Sequence, residues 1–100
     1  MAFGIKRQEL ICWKNRVANN QISFLTHYWM DPRFPGCYTV TKAGCRDLNK
    51  LAEWGKKYGL KPEWIDRNNA FPHFDLFGDR QKEILQMEGQ WEQLHRFHLS

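Results

Sequence analysis

The sequence predicts a small α+β domain, a short and three-stranded sheet with about three helices packed on it. Three observations carry that expectation. Two runs rich in β-branched and aromatic residues, "ISFLTHY" at 22–28 and "CYTVTKA" at 37–43, read as strands joined by a turn-rich loop. Residues 46–58 have the apolar spacing of an amphipathic helix. The chain has 100 residues, 42% of them hydrophobic and 15% aromatic, which fits one domain over residues 1–100 with a few large rings filling its core.

Residues 5–18 read as the first helix, with Leu10, Trp13 and Val17 on one stripe. "NNQ" ends it. Between the two strand runs, "DPRFPG" holds two prolines and a glycine, the signature of a long-looped hairpin. In residues 46–58, Leu48, Leu51, Ala52, Trp54, Gly55 and Tyr58 share one side. Gly59 suits a left-handed cap, with Leu60 folding back on Trp54. Pro62 opens a short further turn. Residues 67–73 read as irregular, and "HFDLF" at 73–77 as a third short strand. A last helix is expected from Gly78 or Asp79 to Phe97, because Ile84, Met87, Trp91, Leu94 and His98 recur at steps of three and four. Gly89 weakens that helix by about 1 kcal/mol. The seam is too short to require a partner, so the expectation is a monomer or a weak dimer through this helix.

The formal net charge is +4, placed unevenly: residues 1–50 carry +5 and residues 51–100 carry −1. A basic half is compatible with a phosphate-bearing partner, though on charge alone, without a dense Lys/Arg run, a solvated basic surface is the simpler explanation. Cys12, Cys37 and Cys45 are odd in number and lack zinc-knuckle spacing, which points to reduced thiols and a cytoplasmic protein. No apolar run approaches the ~20 residues that span a bilayer, and the first ten residues lack a signal-peptide core. Phosphate loops, dinucleotide fingerprints, nucleophile elbows and H-E-x-x-H are absent.

Two stretches concentrate chemistry. In "THYWMDPRFPG", His27 titrates near neutrality, Arg33 offers a planar fork for phosphate or carboxylate, and Tyr28, Trp29 and Phe34 offer stacking faces. Asp31 is a ligand candidate too, although it also suits a turn cap paired with Arg33. In "FPHFDLFG", His73 and Asp75 lie two apart, hence on one face of a strand. If both strands join one sheet, His27, His73 and Asp75 can meet, with Asp31 and Arg33 approaching from the loop. Two histidines and a carboxylate suit a catalytic divalent metal. Without metal, the same groups suit an anion-binding pocket. His95 and His98 read as surface or packing residues.

The runs "LNKLAEWGKKYGLKPEWID" and "FPHFDL", together with "MAFGIKRQEL" and "FLTHYWMDPRFPG", are similar to the YneQ-like family of small uncharacterised proteins from bacteria and phages. The resemblance covers nearly the whole length. It implies a stand-alone domain of unknown function and supplies no reaction; His27, His73 and Asp75 fall within its signature. The leading functional expectation is binding of a phosphate-bearing ligand, a nucleotide or nucleic acid, by His27, Tyr28, Trp29, Asp31, Arg33, His73 and Asp75. The alternatives are a metal-dependent hydrolase or nuclease using His27, His73 and Asp75, and a protein-interaction module.

Overall fold

The computed structural model describes residues 4–67 and 70–99. The expected irregular stretch 67–73 therefore lies partly outside the described residues. The fold is α+β, as expected: a three-stranded antiparallel sheet of order β1-β2-β3 and four helices. In chain order these are α1 (Arg7–Ala18), β1 (Ser23–Tyr28), β2 (Thr39–Gly44), α2 (Leu48–Lys56), β3 (His73–Leu76), α3 (Gly78–Met87) and α4 (Trp91–Arg96). A short 3-10 turn spans Pro62–Trp64.

Register divides the sheet into two faces. Leu25 is paired with Lys42, and Lys42 with Asp75; Phe24 is paired with Ala43, and Ala43 with Phe74. Alternation then places Phe24, Thr26, Thr41, Ala43, Phe74 and Leu76 on one face, and Leu25, His27, Val40, Lys42, His73 and Asp75 on the other. The first face carries the larger core, where Ala43, Phe74 and Leu76 cluster with Leu51, Trp54, Leu60, Ile65 and Ile84. The second face carries a smaller core of Trp13, Val17 and Leu25. Helix α1 thus covers only one end of the second face.

Helix α2 forms as its spacing dictates. The Asp47 carboxylate accepts from the Lys50 backbone N–H, and Leu51, Trp54 and Gly55 are buried. Gly59 has φ +72°, and the Leu60 N–H reaches back to the Gly55 carbonyl at 2.9 Å. Gly55 is a packing requirement. A Cβ there would stand 2.7 Å from two ring carbons of Phe74, itself 1% exposed. Alanine gains up to about 1 kcal/mol over glycine in a helix, but overpacking costs about 1–3 kcal/mol. Gly55→Ala is therefore expected to lower stability by up to about 2 kcal/mol in urea unfolding.

The expected continuous helix from 78 or 79 to 97 is corrected: it is two helices. Gly89 has φ +68°, the Gln90 N–H returns to the Leu85 carbonyl at 2.8 Å, and the Gly89 N–H to that of Gln86 at 3.1 Å. This is a helix-ending Schellman motif rather than a weak helical position. The heptad seam breaks with it: Ile84 and Leu94 are buried, while Met87 is 75% and Trp91 59% exposed. The premise for a dimer through that helix is removed. The three cysteines are unpaired. Among the described residues, no helix is long and apolar enough to cross a membrane.

Candidate functional site

The part of the second face that α1 leaves uncovered is walled by the loop after β1 and by residue 66. Asp31 and Arg33 shape the loop. The Asp31 carboxylate accepts from the Arg33 backbone N–H at 2.9 Å, and from Nε at 3.0 and 3.1 Å and Nη2 at 2.6 Å of its side chain. Arg33 holds the Asp31 pKa down to about 2. The Phe34 N–H then returns to the Asp31 carbonyl at 3.0 Å, and the Trp29 N–H to the Tyr38 carbonyl at 2.8 Å. The rings of Trp29, Phe34 and Phe77 pack together, with centroids 4.7–5.7 Å apart. They anchor the loop to the end of β3.

The open pocket there is about 430 Å³ and is lined by His27, Trp29, Asp31, Arg33, Lys42, Asp66, His73 and Asp75 among others. Six of the seven residues expected to bind a ligand line it. Tyr28 does not, and this is a correction. Strand alternation sends it to the opposite face from His27, where its ring meets Phe97 edge-on at 5.0 Å. Arg33 lines the pocket but is 77% exposed, and its fork is engaged by Asp31.

The two histidines are built alike. His27 Nδ1 lies 2.9 Å from the Tyr28 carbonyl, and His73 Nδ1 lies 2.9 Å from that of Phe71. A carbonyl only accepts, so each Nδ1 carries the proton and each Nε2 is left as an acceptor. They differ in surroundings. Burial, aided by Lys42, lowers the His27 pKa against the pull of the Tyr28 carbonyl and Asp75. For His73, burial favours the neutral ring, but the Asp75 carboxylate and the Phe71 carbonyl outweigh it and the pKa is raised. His27 is 4% exposed, and its Nε2 is a buried polar atom with no hydrogen-bond partner among the described residues.

A pH effect follows from the lowered His27 value. Its folded pKa lies below the 6.5 of a free imidazole. The native state therefore binds fewer protons than the unfolded chain, and the contribution of the neutral ring is present above pH 6.5 and lost as pH falls through the folded pKa. His73, with a raised pKa, has the opposite sign. Urea unfolding of wild type and His27→Leu between about pH 7.5 and 5 isolates the first. The stability of wild type relative to His27→Leu is expected to fall as pH falls.

Residues expected to hold metal do not assemble as one set. His27 is opposite Val40 and His73 opposite Gly44, four residues apart along β2 and one strand to either side. Among the described residues, the set with ligand spacing is Asp66, His73 and Asp75, with ligand atoms all within 4.8 Å of one another. Asp66 was not legible as a site residue. A single antiparallel bridge brings it beside His73, with N–H to carbonyl distances of 2.8 and 3.2 Å. The chain approaches there after the 3-10 turn, and no local pattern announces it. Lys42 was overlooked as well, although strand alternation with Thr41 and Ala43 signals its face.

Compared with known proteins, the chain is 59% identical over 99 residues to the uncharacterised protein YneQ of Bacillus subtilis. The match covers 99% of this chain and all of that relative. The chain belongs to the YneQ family. No protein-family model and no solved structure matches it. For a YneQ-family chain, the role of the pocket therefore rests on its own chemistry.

Proposed function

We propose that this protein binds a small phosphate-bearing ligand, a nucleotide in the first instance, in the pocket between β1, β3 and the loop after β1. The observation that carries this reading is the His27 Nε2 atom. A buried acceptor without a partner costs about 1–3 kcal/mol, and evolution of a stable fold alone would replace it with an apolar side chain. A ligand hydroxyl or amino group would satisfy it. Lys42, on the same face, supplies a point charge for phosphate. Trp29 and Phe34 supply ring faces at the rim. Arg33 acts in this reading through the loop it locks, and its fork is not the primary phosphate contact.

The test is calorimetric titration with adenosine monophosphate and with inorganic phosphate in magnesium-containing buffer. Wild type is expected to bind the nucleotide. His27→Leu and Lys42→Gln are each expected to weaken it at least ~10-fold, about 1.4 kcal/mol, with no fall in melting temperature. Absence of binding to either compound, or equal affinity in both variants, would overturn the reading.

A further inference from the structure

We infer that Asp66, His73 and Asp75 form a divalent-cation site, and that the cation is what admits phosphate to the pocket. The inference rests on the phosphate-binding reading for its second half only. His73 Nε2 stands 3.5 Å from Asp75 Oδ1 and 3.8 Å from Asp66 Oδ2. Charge-assisted N–H···O contacts are about 2.7–2.9 Å, so these groups surround a gap instead of closing on each other. Ligand bonds of about 2.0–2.6 Å allow two ligand atoms on one ion to stand up to about 5 Å apart, and all three lie within 4.8 Å.

The ligating atom is already oriented. The Phe71 carbonyl takes the Nδ1 proton at 2.9 Å, which fixes the tautomer with Nε2 toward the two carboxylates. A carbonyl in that role is the usual support of a metal-bound histidine. Asp66 is likewise held, through its backbone bridge to His73. His27, which lines the same pocket and is 4% exposed, has an Nε2 with no hydrogen-bond partner among the described residues.

Charge supplies the link to phosphate. Asp31 and Arg33 neutralise one another. The carboxylates of Asp66 and Asp75 line the pocket beside Lys42 and oppose the approach of phosphate. A divalent ion held between them reverses that effect. One imidazole nitrogen and two carboxylates form a mixed donor set with positions to spare, which suits a first-row divalent ion such as manganese.

The experiment is electron paramagnetic resonance titration of the purified protein with Mn²⁺ alone, then with inorganic phosphate added. One Mn²⁺ per chain is expected. Asp66→Asn and Asp75→Asn should each weaken it at least ~10-fold while circular dichroism and melting temperature stay near wild type, and Lys42→Gln should leave it intact. Asp75, half exposed, serves as the control should Asp66→Asn fold poorly. Stoichiometric Mn²⁺ should strengthen phosphate binding at least tenfold. No saturable Mn²⁺, or unchanged affinity in both Asn variants, would overturn the site. Phosphate binding that is indifferent to Mn²⁺ would overturn the coupling. Mn²⁺ binding without any phosphate binding would sink the phosphate reading and leave the cation site standing.

Discussion

Trp13→Ala is expected to lower stability by about 3–5 kcal/mol, a large share of the ~5–15 kcal/mol of a domain this size. Trp13 is 4% exposed and joins α1 to the sheet. Its Nε1–H donates to the buried Ser23 carbonyl at 3.0 Å. Its ring lies over Gly44, where a Cβ would stand 2.7 Å from it, and meets Phe71 and His73 at 6.1 Å. Removing it opens a cavity and takes one hydrogen bond from a carbonyl that also faces Gly44 in the ladder. Trp13→Phe keeps most of the volume, and loss of its hydrogen bond should cost about 0.5–1.5 kcal/mol. Urea unfolding of both variants separates the two contributions. A loss below 1 kcal/mol for Trp13→Ala would mean that α1 is not welded to the sheet. Because Trp13 also backs His73, the alanine variant should disturb the pocket as well.

Gln81→Ala is the second large effect, at about 3 kcal/mol, from the other face. The Gln81 side chain is 1% exposed, accepts from the Thr39 hydroxyl at 3.1 Å and donates to that of Thr41 at 2.9 Å. Thr41 contacts Thr26 at 2.7 Å, Thr26 donates to Gln93, and Gln93 donates to the Phe24 carbonyl at 3.0 Å. This chain of hydrogen bonds ties α3 and α4 across β1 and β2, where threonines occupy the face that valines would fill in a simpler core. Truncation adds a cavity to the loss of the Thr39 hydroxyl's partner, about 1–3 kcal/mol if it is left unpaired, while the Thr41 hydroxyl keeps Thr26. A double-mutant cycle of Gln81→Ala with Gln93→Ala should show coupling of at least ~0.5 kcal/mol. Strict additivity would mean that the chain acts as separate bonds.

What the sequence revealed follows from how local each signal is. The strands were legible because β-branched and aromatic residues cluster there, and α2 because its apolar stripe, cap and Gly59 agree. Alternation placed His73 and Asp75 together without any knowledge of the fold. Gly89 was misread because a glycine inside an apolar three-and-four pattern looks the same whether it continues or ends a helix; the positive φ decides, and sequence does not display it. Tyr28 was grouped with His27 by proximity in the chain, although adjacent strand residues face opposite ways. Asp66 reaches the site by a bridge across the irregular stretch before β3, and such non-local pairings leave no mark in composition or spacing.

The pocket's role turns on the state of one atom. Long-range proton–nitrogen spectra of the two imidazoles, recorded before and after adding adenosine monophosphate in magnesium-containing buffer, read it directly. The expectation is that free His27 carries its proton on Nδ1 and that its Nε2 resonance shifts toward a hydrogen-bonded acceptor as the nucleotide saturates. A His27 protonated on Nε2, or imidazole resonances of His27 and His73 that stay fixed under saturating nucleotide and inorganic phosphate, would contradict it.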